Sequence, residues 1–204
     1  MNTRLLDHLV NHVPSAIRRA GLPDNQCILA SRLAVEFLRH HGIRAQATAS
    51  DLTVINAPYA DALEANGGVF DDTLREQAEA DGAWCVWISR VNTDTVGHVV
   101  VVADNRWLID LTAHQANRPE KGISAEAFYA DALDFAHGER FGFRNADDRC
   151  VWIYDPRPKD RSFVARPAWS AYRISTRNGM IVSERTGPAP DVAVAPSVAI
   201  PLRA

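Results

Sequence analysis

The amino-acid sequence predicts an α+β domain in which helices come first and a mostly antiparallel sheet follows. Three observations carry this. Apolar residues recur at helical spacing through the first forty positions. Runs of β-branched and aromatic residues then dominate from Ala45 to Ser175. Strict strand–helix alternation is missing, which sets the pattern apart from a parallel α/β fold.

Taken in order, residues 4–20 read as a helix, with Leu5, Leu9, Val10, Val13 and Ile17 on one side. Gly21-Leu22-Pro23-Asp24-Asn25 breaks it and offers Asp24 as a cap. A second helix is expected from about Asn25 to His41, ended by Gly42 at the position that favours a left-handed glycine. Residues 45–56 change to strand-type alternation. An acidic, helical excursion containing Gly67-Gly68 is expected over 59–82. Strands follow at Trp84–Val91, His98–Val102 and Trp107–Leu111. A helix is expected at Ala125–His137 behind Ser124, then strands at Cys150–Tyr154 and Trp169–Ser175. Residues 1–186 form the expected domain. Residues 187–204, rich in Pro, Ala and Val without a period, read as an extended tail.

Bulk properties narrow the function. A chain of 204 residues suits one well-buried domain. The net charge of −3 provides no global field for nucleic acid or an anionic membrane. Polar residues interrupt every short apolar run of the first twenty positions, so no signal-peptide core fits, and no stretch reaches membrane-spanning length. Three cysteines, odd in number and without CxxC, suit reduced thiols in a cytoplasm.

One of those thiols stands at a helix start. With Asp24 as cap, Cys27 is the third helical residue, among free backbone N–H groups and at the positive end of the dipole. That setting favours a thiolate, and the same N–H groups can receive a developing oxyanion. Cys85 in Trp84-Cys85-Val86-Trp87 and Cys150 in Arg149-Cys150-Val151-Trp152 are expected to be structural, each within an apolar strand.

The second element of chemistry is an apolar hairpin bracketed by His98 and Asp110. A two-residue turn at Asp104-Asn105 would put the two on opposite faces. A three-residue loop, Ala103-Asp104-Asn105, pairs them directly and asks Asn105 to adopt a left-handed conformation.

The order cysteine helix, histidine strand, aspartate strand resembles the transglutaminase-like superfamily, which includes arylamine N-acetyltransferases and many bacterial proteins. The resemblance spans about residues 20–115. It rests on Gln26-Cys27-Ile28-Leu29-Ala30-Ser31 through Phe37-Leu38, on Gly42-Ile43-Arg44-Ala45, and on Gly97-His98 through Asp110. It implies Cys27 as nucleophile, His98 as base and acid, and Asp110 as the residue that orients the imidazole. Many transglutaminases carry a tryptophan after the cysteine, and arylamine N-acetyltransferases an Arg-Gly-Gly run before it; this chain has neither.

Gln26 is a candidate oxyanion donor, and Gln115 with His114 a candidate for the rim of the site. No HExxH, CxxC or phosphate-binding glycine loop occurs, so no metal and no cofactor are expected. The function expected is acyl transfer through a thioester on Cys27, acting on a protein, peptide or small amide, with no nucleic-acid or membrane partner. Two alternatives remain: a catalytically silent interaction domain on the same scaffold, and an amine N-acetyltransferase using acetyl-CoA.

Overall fold

The computed structural model describes residues 3–22, 26–68, 76, 79–90, 97–170, 172–186 and 197–203. Helix α1 (Thr3–Arg19) buries Leu9, Val13 and Ile17 of the predicted stripe and, in addition, Leu6, while Leu5 and Val10 are half-buried. Helix α2 (Cys27–His40) is more deeply buried, with Leu33, Phe37 and Leu38 fully enclosed. Truncating any of these three to alanine removes about 2–5 kcal/mol of stability. The helix ends as expected: Gly42 takes φ 73°, and its N–H and that of Ile43 bond back to Arg39 and Leu38 carbonyls at 3.0 and 2.9 Å.

The turn after Gly42 feeds β1 (Ala45–Ile55), the long central strand. One edge of β1 pairs with β3 (His98–Ala103) over Ala45–Ser50 and with β2 (Cys85–Ile88) over Leu52–Ile55; its other edge pairs with β7 (Val151–Arg157). Adding β4 (Trp107–Asp110), β5 (Phe128–Asp131) and β6 (Phe141–Arg144) gives the order β5-β4-β3-β1-β7-β6, antiparallel throughout. Both faces are covered. Ala47, Ala49, Val99, Val101 and Ile109 pack toward α1 and α2. Leu52, Val100, Val102, Leu108, Trp152 and Tyr154 form a second core beneath Ala113, Ile123 and Phe135. The small residues of β1 on the helix side let α2 lie close to the sheet, tied by the Ser31 hydroxyl donating to the Val99 carbonyl at 3.0 Å.

A second sheet, β10-β9-β8, contacts the helices as well. It comprises β8 (Tyr172–Arg177), β9 (Met180–Arg185) and β10 (Ser197–Pro201). Asn178 and Gly179, at φ 51° and 71°, form the two-residue turn between β8 and β9.

Several expectations change. Residues 125–137 are not one helix: Phe128–Asp131 pairs with β4, and only the turn α4 (Leu133–Ala136) is helical. The open backbone edge of β4 decides the matter over local helical propensity, which is the weaker influence. Residues 167–170 form a short helical turn, α5 (Pro167–Ser170), so the last expected strand starts at Tyr172. The tail region contributes β10, whose Val198 and Ile200 are buried, as is Leu202 just beyond. Histidines hold it there: His8 Nε2 contacts the Pro201 carbonyl at 2.8 Å and His41 Nε2 the Leu202 carbonyl at 3.0 Å. Of the excursion at 59–82, α3 (Ala57–Ala65) is helical behind its Asn56 cap, while residues 69–75 and 77–78 lie outside the described residues. In β2 Val86 is buried and Ile88 packs partly against the core, whereas Cys85 and Trp87, with Trp84 just before the strand, are exposed, so Cys85 does not sit in a packed interior. No helix among the described residues is long and apolar enough to cross a membrane.

Candidate active site

The first residue of α2 is Cys27, only 7% exposed. The expected cap, Asp24, lies outside the described residues; Gln26 holds the cap position, and its side chain makes no capping bond. Cys27 is therefore the first helical residue and not the third. It remains within the turn whose backbone N–H groups lack intrahelical acceptors, at the positive end of the helix dipole.

The hairpin joining β3 to β4 has a three-residue loop, but shifted by one residue from expectation. Val101, Val102 and Ala103 pair with Ile109, Leu108 and Trp107, leaving Asp104-Asn105-Arg106 as the loop. Asn105 is left-handed at φ 51°, as the argument from register requires, and Asp104 joins it at φ 50°. The Asp104 N–H is satisfied by the Arg44 carbonyl at 2.8 Å. Continued outward, this register sets Asp110 opposite Val100 and His98 two residues further along the same face. The pair is thus diagonal, not directly opposite, and a diagonal separation is within reach of an imidazole.

Across that diagonal His98 Nε2 donates to Asp110 Oδ2 at 2.7 Å, and both side chains are fully buried. Asp110 has two further donors that the sequence reading did not identify. The Tyr154 hydroxyl donates to Oδ2 at 2.8 Å, and the Thr112 backbone N–H to Oδ1 at 2.9 Å. Tyr154 comes from β7 on the far side of β1, a position that no local motif announces. Its only signal is that it alternates with Trp152 on a strand expected to be buried.

Burial works against charge on both partners, and the pair overcomes it. For Asp110, desolvation opposes ionisation, but the His98 charge and hydrogen bond, with the Thr112 and Tyr154 donors, hold its carboxyl below the usual range. For His98, desolvation would lower the pKa. The charge and hydrogen bond of Asp110, then the neighbouring Cys27, outweigh it and push the imidazole up to about 10. Tyr154, buried against the Asp110 carboxylate, is raised well above the ordinary phenol value and stays a donor. With Nε2 committed to Asp110, His98 Nδ1 is left buried without a hydrogen bond of normal geometry. An orphaned ring nitrogen with a thiol for a neighbour is the chemically notable feature of the site.

The backbone just before the histidine is tightly held. Gly97 has φ 73°, and a Cβ there would lie 2.5 Å from the Arg157 guanidinium and 3.1 Å from the Ser50 carbonyl. Arg157 in turn pairs with Asp51 of β1 at 3.2 Å. The turn into His98 thus requires glycine on conformation and on space.

Of the candidates at the margin, Gln26 is half-buried directly before Cys27. Gln115 and His114 belong to a single-turn 3-10 helix (Ala113–Ala116) and line a separate polar cavity with Arg18 and Arg118. Cys27 and His98 are not among the residues that line that cavity. Among the described residues no group of three or more His, Cys, Asp and Glu side chains could hold a metal ion. In comparisons with known proteins, no family model matches the chain, no curated protein matches it, and no solved structure matches it.

Proposed function

We propose that this chain is a cysteine-dependent acyl-transfer enzyme on a transglutaminase-like scaffold, with Cys27, His98 and Asp110 as its triad. The observation that carries the reading is the buried His98–Asp110 pair, whose unsatisfied Nδ1 neighbours a thiol at a helix start. The nucleophile helix packed on β1 and β3, with histidine and aspartate on successive antiparallel strands, supports the scaffold assignment.

In this reading the Cys27 proton already rests on His98 Nδ1 as a thiolate–imidazolium pair, and the thiolate attacks the substrate carbonyl carbon. Negative charge moves to the carbonyl oxygen, facing backbone N–H groups of the first turn of α2. Collapse forms the thioester and expels the amine, which leaves with the proton from Nδ1. Water or a second amine then attacks the thioester, His98 removing its proton, and Cys27 is released. Asp110 keeps the imidazole oriented throughout and stabilises its charged form. The substrate class is a protein, peptide or small amide.

A silent interaction domain is the second reading. It is favoured by one observation, the near-complete burial of all three side chains. The test is the pH dependence of iodoacetamide alkylation at Cys27 in the wild type, His98→Ala and Asp110→Ala. The enzyme reading expects reaction to persist well below about pH 8, where an ordinary thiol is protonated, and to be lost in both variants. A slow rate that rises only near the ordinary thiol pKa, indifferent to either change, sinks it. Saturable acetylation of Cys27 by acetyl-CoA would redirect the reading to an amine N-acetyltransferase.

A further inference from the structure

On the face of the main sheet opposite α2 lies a groove of about 850 Å³, bounded by β5, β6 and the segment 145–148. That volume is in the range of small-molecule sites. Its floor is aromatic. Phe128 meets Phe143 edge to face with centroids 5.1 Å apart, and Phe143 stacks on Trp152 at 6.4 Å with planes 11° apart. Phe128 and Phe143 are only half-buried, so their ring surfaces are open to an occupant.

The rim carries one sign of charge. Glu126, Asp131, Asp147 and Asp148 line the groove, and no Lys, Arg or His does among the described residues. Asp131 is neutralised by Arg106, which grips both of its oxygens. Asp148 accepts the Cys150 backbone N–H at 3.0 Å and makes no ion pair among the described residues. Glu126 and Asp147 are exposed. Three carboxylates without an ion-pair partner among the described residues therefore stand over a floor of aromatic rings. Ring faces attract cations and apolar groups, carboxylates attract cations, and both reject anions.

We propose that this groove is a binding site for a small organic cation, an alkylated or aryl-substituted ammonium whose apolar body lies on Phe128 and Phe143 and whose charge faces Glu126, Asp147 and Asp148. The site does not depend on the acyl-transfer reading. None of these side chains belongs to the triad, and the groove would bind its ligand in a catalytically silent domain too.

The decisive experiment is ligand-observed NMR titration of the full chain with benzyltrimethylammonium and with neopentylbenzene, its uncharged carbon counterpart. The ammonium is expected to bind at least about tenfold more tightly than the hydrocarbon, the ratio that a desolvated cation–ring contact provides. In Glu126→Gln/Asp147→Asn the preference should collapse toward parity; in Phe143→Ala both probes should weaken. Should Phe143→Ala fail to fold, the charge variant, altered only at exposed positions, still decides the matter. Equal affinities in the wild type, a preference that survives in the charge variant, or no binding of the ammonium at millimolar concentration would each overturn the proposal.

Discussion

Cys27 and Cys150 are both buried thiols, 7% and 0% exposed, yet their surroundings are opposites. Cys27 opens a helix beside an imidazole whose pKa is raised to about 10. Cys150 lies just before β7, donates to the Gly122 carbonyl at 3.2 Å and neighbours the Asp148 carboxylate; burial first, and that charge second, push it up to about 12. Burial alone therefore says nothing about reactivity. What separates the two is the sign of the nearest charge and whether the polar neighbour offers a proton or an electron pair.

The sharpest way to break this contrast is to label both thiols in one sample. At neutral pH, peptide mapping after brief iodoacetamide treatment should find Cys27 modified much faster than Cys150, whose thiol is pushed up to about 12. Comparable rates would mean that the environment of Cys27 is as inert as that of Cys150.

Next in size is the removal of the counter-charge. Asp110→Ala leaves His98 buried without a partner and should cost about 3–5 kcal/mol in denaturant unfolding. The pair also makes a pH signature. The folded pKa of His98 is raised, so its stabilisation is full below the unfolded histidine value and is lost as pH rises toward about 10. Asp110 is lowered, so its share is present above the unfolded carboxylate value and is lost as pH falls through the folded one. Melting temperature should therefore fall between about pH 7 and 10 in the wild type, and much less in His98→Ala. Parallel curves would remove the ion pair from the argument.

A smaller effect is expected at the third donor. Tyr154→Phe deletes one buried hydrogen bond to Asp110 and should cost about 1–3 kcal/mol. It should also lower the pH at which the His98-dependent loss of stability occurs, because a less well-held carboxylate supports the imidazolium less. Smallest is Cys150→Ala, about 1–2 kcal/mol from a small cavity, with no change in the alkylation profile of Cys27.

The parts of this molecule that could be read in advance are those whose causes are local. The stripes of α1 and α2, the glycine ending α2, and the valine-rich β3 follow from spacing and composition alone. The His98–Asp110 pair was reachable because strand parity and a short loop restrict the options; the one-residue shift of the loop preserved parity and so preserved the pair. What was missed depends on partners distant in sequence. Phe128–Asp131 became a strand because β4 offered an open edge, and Val198 and Ile200 were drawn from an apparent tail onto the helices. Tyr154 reaches Asp110 only because β7 lies beside β1. The β8–β9 turn is a different case. Asn178-Gly179 between two strand-like runs is a strong hairpin signal, and it was present in plain view.

The contact between His8 and the Pro201 carbonyl joins residues 193 positions apart. On a ribosome, α1 emerges well over a hundred residues before the strand that covers part of it. At about 5–20 residues per second that is an interval of some ten seconds or more, in which apolar positions of α1 and α2 await their last cover. Such an interval asks for protection during synthesis, and it makes the segment around β10 the step that commits the nascent chain to its native state.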